Sequence, residues 1–505
     1  MTDEQPTSRR AARQKPDSTP VEAPEGTEST APAGPRWFRK HPTAWLISAA
    51  ALVFVLMGTG AVFAGATVAS GEVKPTPTPS VSVEPPRPVP SAVALASRLR
   101  TCSIVGPASD GRLMAFSGTV VKIDTGEVLF DRNGSVPTRT GSVLKVLTSA
   151  AALATIGPAF QITTSVVDGS SPGTIVLIGR GDATLSAGGP TVYPGAPLLS
   201  DLATQTVAAY ATRHPGVPIT QVVLDANYWN PGDKWDPSWK RSEQTIGYHS
   251  EVTALMVDGD RANPAKNTSP RSTDPIGRAG AAFVSALNAA DTGDVVGDVS
   301  TSSGTALAGA AVLGEVKSQP VSTLIGQILP NSDNTLAEML ARIVSKETGF
   351  NGSAASLQQA IPGALTAYDT DTYKFDTTGL VIRDGSGLSE FNAVPSTTMA
   401  KFMVQVGNGA ANLAIVRDTM PVAGKSGSLA GRFTGDNAVA RGRVVAKTGW
   451  IDTSYGLGGT IDAADGTRLA FTFYAVGDGI KDNAKAALDT LTTAAFRCGD
   501  NLSNN

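Results

Sequence analysis

The sequence predicts an α+β architecture: one antiparallel sheet drawn from both ends of the C-terminal four-fifths of the chain, backed by helices, with a β-rich region inserted between the halves. Three observations predict it. Strand-like runs at 118–130 and 443–476 are each followed by a helical pattern, over 142–156 and 484–495. Between them, from about 165 to 315, short β-like runs alternate with Gly and Pro loops. The length, 505 residues, leaves room for about three domains.

The N-terminal elements come first. Residues 1–43 form a tail; over 1–35 it is rich in Pro, Thr, Glu and Arg and nearly free of large apolar side chains, so it cannot bury enough surface to offset chain entropy and is expected to be disordered. Residues 44–71 carry no Asp, Glu, Lys or Arg, a run longer than the roughly 20 residues that cross a bilayer. Arg36, Arg39 and Lys40 precede it, which predicts a single-pass anchor with a cytoplasmic N-terminus and everything after it extracellular. A cleaved signal peptide fits less well, because the apolar run is too long and starts too late. The Pro-rich stretch 72–95, with Pro75, Pro77 and Pro79 and then Pro85 to Pro90, reads as a stiff spacer.

Beyond it, residues 96–164 and 316–500 are read as one domain and 165–315 as one or two subdomains inserted in it. Gly118–Ile123 and Glu127–Phe130 flank the turn Asp124-Thr125-Gly126 and predict a hairpin. Ser142–Ile156 places Val143, Val146, Leu147, Ala150 and Leu153 at helical spacing, with Gly157 as the stop. Near the C-terminus, Arg443–Lys447, Gly458–Ile461 and Leu469–Val476 read as strands, and Ala484, Leu488, Leu491 and Ala495 share one helix face. Cys102 and Cys498 stand near the two ends of a region placed in an oxidising compartment, so they are predicted to pair. Residues 501–505 read as a flexible tail.

Composition excludes several kinds of chemistry. Lys+Arg 41 against Asp+Glu 44 gives a formal charge of −3, which offers no basic field for nucleic acid. With 3 His and 2 Cys, and no His-Glu-x-x-His, neither a metal site nor a metal or organic cofactor is expected. His214 and His249 have no Gly-x-Ser-x-Gly partner and read as surface or packing residues.

Three short elements remain. Ser142 and Lys145, three apart on a helix, share a face, so the amine can reach the hydroxyl. Ser332-Asp333-Asn334 precedes a helical run and can present a hydroxyl and a carboxamide to one cleft, or simply cap the helix. Lys447-Thr448-Gly449 ends a predicted strand and is preferred to the copy Lys425-Ser426-Gly427, which lies in a Gly-rich loop. A second Ser-x-Asn, at Ser503, is set aside as part of the tail.

Taken in order, Ser-x-x-Lys, Ser-Asp-Asn and Lys-Thr-Gly resemble the motif set of penicillin-binding proteins and serine β-lactamases. Gly181–Leu185, Asp384-Gly385-Ser386-Gly387-Leu388-Ser389, Pro421–Gly424 and Gly431-Arg432-Phe433, with the long interval between Ser142 and Ser332, make the chain similar to D-alanyl-D-alanine carboxypeptidases and endopeptidases of the penicillin-binding protein 4 type. The resemblance implies a β-lactamase/transpeptidase-like domain. Two positions depart from the family pattern: Thr140-Gly141 stands where Pro-Ala is common, and Trp450 follows Lys447-Thr448-Gly449 where a small hydroxyl residue is usual.

The resemblance also implies roles. Ser142 would attack the carbonyl between two terminal D-alanines of a peptidoglycan stem peptide, with Lys145 as base, its pKa lowered by Lys447. Ser332 would pass a proton to the leaving amine and Asn334 would hold the substrate amide. Thr448, Gly449 and Trp450 would bind substrate, Lys447 and Thr448 would hold its terminal carboxylate, and the amides of Ser142 and Trp450 would form the oxyanion hole. β-Lactams would acylate Ser142. The alternatives are a non-catalytic cell-wall binding protein on the same fold and a serine β-lactamase.

Overall fold

The computed structural model describes residues 99–504. The expected tail, membrane anchor and spacer lie outside the described residues. Among the described residues no helix is long and apolar enough to cross a membrane.

The chain enters through β1 (Cys102–Ser103) and a hairpin of β2 (Ala115–Lys122) and β3 (Val128–Arg132). The predicted turn closes it: Gly126, at φ +72°, donates its N–H to Lys122 O at 2.8 Å. A 3-10 turn, Gly141–Leu144, then leads into α1 (Lys145–Thr155). Every residue from Lys145 to Leu153 is buried, so α1 is a central helix and not a surface one.

The insertion follows: β4 (Thr163–Asp168), β5 (Thr174–Ile178), α2 (Leu199–Arg213), β6 (Ile219–Asp225), α3 (Pro275–Ala290), β7 (Val296–Ser303) and β8 (Val312–Lys317). They form one five-stranded sheet in the order β7-β6-β5-β4-β8. The observed insertion adds two features to the β-rich region expected over 165–315. β5, β6 and β7 run parallel, which requires long crossovers, and α2 and α3 supply them while covering one face through Leu202, Phe283 and Leu287. Their Ala-rich sequences gave little contrast between faces. The second feature is functional: Trp229, Trp239, Val252, Ala254 and Met256, from the long excursion between β6 and α3, pack in the core around α1.

The chain then returns through α4 (Val321–Asn331), α5 (Asn334–Glu347), α6 (Leu357–Leu365), α7 (Ser396–Asn408) and α8 (Leu413–Thr419). Three antiparallel strands, β9 (Val444–Ile451), β10 (Ser454–Asp462) and β11 (Arg468–Val476), precede α9 (Ala484–Cys498) and β12 (Leu502–Ser503). The β2–β3 hairpin lies along the β11 edge: Ile123 N–H donates to Arg468 O at 2.9 Å, and Met114 bridges Val476. β11 is apolar on both faces because each meets a different core. Leu469, Phe471, Phe473 and Ala475 pack under α9, whereas Ala470 and Tyr474 face the core of α1, α5 and α7. Burying each such Phe contributes about 1.5–3 kcal/mol.

Cys102 and Cys498 are joined, Cα to Cα 5.5 Å, across a separation of 396 residues. Over 501–504 the chain differs from the expected flexible tail. With both ends clasped, β12 pairs with β1, Leu502 is buried, and Asn504 Oδ1 accepts from Asp131 N at 2.7 Å.

Candidate active site

The three scattered sequence elements meet at the entrance of α1. Ser142 sits in the 3-10 turn before that helix, directly against β9. Gly141 takes φ +50°, and a Cβ there would lie 2.8 Å from Trp450 N; one on Gly449 would lie 2.3 Å from Thr140 O and 3.3 Å from Ser142 N. Side chains at either position would push the turn and the strand apart. The backbone amides of Ser142 and Trp450 therefore flank one narrow gap.

One turn along, the fully buried Lys145 Nζ donates to Ser142 Oγ at 2.8 Å, to Asn334 Oδ1 at 2.6 Å and to Ser386 O at 2.6 Å. Asn334 opens α5, and its Nδ2 donates to Tyr248 O at 3.2 Å. A carbonyl can only accept, so that contact fixes the carboxamide with its oxygen toward Lys145. Ser332 terminates α4 in the left-handed region at φ 57° and accepts from Lys447 Nζ at 2.9 Å. Asp333, between them, does cap α5, accepting from Leu336 N at 3.0 Å, while its other oxygen takes Tyr193 OH at 2.7 Å and Arg261 Nη2 at 2.8 Å. Thr448 Oγ1 lies 2.7 Å from Ser428 Oγ. Lys447 and Gly449 point to the nucleophile side, as strand alternation requires, but β9 continues two residues past the expected end to Ile451.

Ser142, Ser332, Asp333, Asn334, Thr448 and Trp450 line a cleft of about 280 Å³, with Lys145 and Lys447 buried behind them. Its walls are β9 on one side and the excursion between β6 and α3 on the other. Tyr248 and Trp450 stand edge to face with ring centroids 6.1 Å apart, and Lys240 pairs with Asp452 across the mouth. Trp450 is 43% exposed and forms a wall of the cleft without plugging it. Lys447, the preferred of the two candidate lysines, is the one that reaches Ser332.

Electrostatics fit proton transfer. Burial lowers the Lys145 pKa to about 8, although Asp384, Glu338 and Asp333 pull it upward. The expectation that Lys447 does this lowering is thus corrected: desolvation is the largest cause. Lys447 is itself pushed well below its ordinary value by burial and then by Lys145. Burial raises Asp333, but Arg261 and Arg271 overcome it and hold the carboxyl well below the usual range.

The sequence reading missed the acidic floor of the site. Glu338, on α5 and fully buried, accepts from Gly385 N at 2.9 Å and Ser386 N at 2.7 Å. Asp384 accepts from Gly387 N at 2.7 Å and Trp239 Nε1 at 2.8 Å. The only local signal was a carboxylate amid Leu336, Ala337, Met339 and Leu340, because the loop it holds lies some fifty positions away. Of the histidines, His214 meets Asp168 at 2.8 Å, and His249 is fully buried between Trp235 and Trp239.

The profile of the D-Ala-D-Ala carboxypeptidase 3 (S13) family matches residues 103–269 and 260–495. Carboxypeptidase DacB of Mycolicibacterium smegmatis is 31% identical over 473 residues, covering 92% of this chain and 98% of that protein. The D-alanyl-D-alanine carboxypeptidase of an Actinomadura species is 28% identical over 448 residues, 72% of this chain and 78% of that one. Among solved structures, penicillin-binding protein 4 of Haemophilus influenzae superposes with a TM-score of 0.61 at 19% identity, over 78% of this chain and 97% of its own.

Proposed function

We propose, for a chain that belongs to the D-Ala-D-Ala carboxypeptidase 3 (S13) family and is a serine-type D-Ala-D-Ala carboxypeptidase, that turnover runs through an acyl-enzyme on Ser142, with peptidoglycan stem peptides as substrate. The observation that carries the reading is the environment of Lys145. Its amine touches Ser142 Oγ and two oxygens that can only accept, Asn334 Oδ1 and Ser386 O. A neutral amine has two N–H groups and one lone pair. The two acceptors take the N–H groups, which leaves the lone pair aimed at the Ser142 hydroxyl.

Lys145 then removes the hydroxyl proton as Oγ attacks the carbonyl carbon of the penultimate D-alanine. The amides of Ser142 and Trp450 stabilise the oxyanion, each such donor contributing about 2.7–4 kcal/mol. Breakage of the peptide C–N bond releases the terminal D-alanine, whose nitrogen takes a proton through Ser332, and water later resolves the ester. Lys447 and Thr448 hold the terminal carboxylate. Asn334, both of whose polar atoms are engaged by protein, orients Lys145 before it meets substrate.

β-Lactams acylate the same serine in this reading, in keeping with the β-lactam complex named for the Haemophilus influenzae relative. The apolar stretch 44–71 and the basic residues before it support anchoring in the cell membrane with the catalytic region outside.

The test is intact-mass analysis after penicillin, then D-alanine release from a pentapeptide. Ser142→Ala abolishes both. Failure of the well-folded wild type to label would favour a cell-wall binder, and rapid drug hydrolysis without D-alanine release would favour a β-lactamase.

A further inference from the structure

Behind Lys145 lie two buried carboxylates that the acyl-transfer steps do not use. Both belong to the hydrogen-bonding of one loop, residues 384–389. Three successive peptide N–H groups of that loop end on them: Gly385 and Ser386 on Glu338, and Gly387 on Asp384. The intervening carbonyls point the other way. Gly385 O accepts from Thr148 Oγ1 at 2.6 Å, and Ser386 O accepts from Lys145 Nζ at 2.6 Å, so both are held by α1. The loop also presses on the nucleophile turn, since a Cβ on Gly387 would lie 2.0 Å from Gly141 O.

We propose that Glu338 is a positioning residue for the reaction: its carboxylate holds the 384–386 peptides so that the Ser386 carbonyl engages one Lys145 N–H and leaves the amine's lone pair on Ser142. The proposal rests on the acyl-enzyme reading. Glu338 is suited to the task because α5 carries both it and Asn334, one turn apart, and α5 is buried from Asn334 to Ser345. One rigid helix thereby sets both acceptor directions of the Lys145 amine: Asn334 directly, and Ser386 through Glu338.

Charge couples the two sites as well. Glu338 faces Lys145 from α1, Asp384 from the loop and Arg342 from its own helix. Burial and Asp384 raise its pKa to about 7, and its negative charge raises that of Lys145. Replacing it by a neutral isostere has two opposite effects. Both loop N–H groups reach Oε1, which a carboxamide keeps, but its NH2 group faces Gly385 N–H where Oε2 accepts at 3.1 Å. That opposition of donors misaligns the amine and lowers the rate, whereas loss of the charge lowers the Lys145 pKa and moves the acid limb of the rate profile to lower pH.

The experiment measures the acylation rate constant of the full-length chain with a labelled penicillin from pH 5 to 10. Glu338→Gln is expected to lower the plateau about 10- to 100-fold, the cost of an ångström-scale misplacement, and to shift the acid limb down by about half a unit or more. Glu338→Asp keeps the charge but withdraws it, so it lowers the plateau with the limb in place. A wild-type plateau in either variant, or an unmoved limb in Glu338→Gln, overturns the proposal. Should Glu338→Gln fail to fold, Glu338→Asp alone decides on its plateau. Wild type that does not acylate would remove the acyl-enzyme reading and this one with it, whereas wild type that acylates beside unaffected variants removes this one only.

Discussion

At Gly387 the chain accepts a geometry that other residues resist. Its φ is +81°, and a β-carbon would lie 2.0 Å from Gly141 O and 3.1 Å from Ser142 N, inside the nucleophile turn. Gly387→Ala therefore costs stability, about 1–3 kcal/mol from the strained backbone, and it also drives the loop away from Lys145. The expected outcome is a lowered melting temperature together with slower acylation by penicillin; acylation at the wild-type rate would show that the contact is not felt at the serine. Positions of this kind mark the limit of what residue patterns disclose. Ser142, Lys145, Ser332, Asn334 and Lys447 were legible because their spacing is a property of short windows, and the structure brings all five together. Glu338 and Asp384 were not, since a buried carboxylate has meaning only once its N–H donors are known. Asp384 stood in a quoted motif, yet nothing in that motif showed its side chain turned back onto its own loop. Trp450 was legible as a departure from pattern, but only strand alternation in β9 places it on the cleft wall.

Elements carried a different share of the information. The hairpin, the nucleophile helix, β11 and α9 were readable because each has a strong period or turn signal of its own. The helices α2 and α3 were not, and the excursion between β6 and α3 gave no hint that its aromatic residues belong to the central core. That excursion holds His249, edge to face with Trp239 at 4.4 Å and beside Trp235 at 5.6 Å. Neither ring nitrogen has a hydrogen-bond partner among the described residues. Burial, then Arg271 and Lys145, push its pKa to about 3. A base whose folded pKa lies below its unfolded value of about 6.5 binds fewer protons when folded, so its contribution to stability is whole above that value and lost as pH falls toward 3. Acid should therefore loosen the wall that carries Tyr248 and the Trp239 contact to Asp384. His249→Phe keeps the aromatic packing without the titration. Denaturant melts at pH 7 and pH 4 should show a smaller acid loss for the variant than for wild type; equal losses would assign the acid sensitivity to other groups.

Across the whole molecule the sheet is shared between distant parts of the chain, and this raises the question of what keeps its ends together. β2 and β3 come from the start and β9 to β11 from the end, with α1, the insertion and α4 to α8 between. The Cys102–Cys498 bond closes that interval, and around it Arg100 binds Glu127 at 2.5 Å and Asp500 at 3.4 Å, while Lys122 reaches Asp500 at 2.9 Å. The ion pairs are partly exposed and contribute little singly. The covalent link restricts the unfolded chain over a separation of 396 residues, an effect of about 2–5 kcal/mol. None of the clasp residues lines the cleft. Cys102→Ser with Cys498→Ser is thus expected to lower the melting temperature, and to lower the temperature at which acylation activity is lost irreversibly, while the acylation rate constant at 20 °C stays at the wild-type value. A rate constant that fell with the disulfide in protein still folded by circular dichroism would mean that the clasp tunes the strands beneath Lys447, and that stability and catalysis are not separable in this fold.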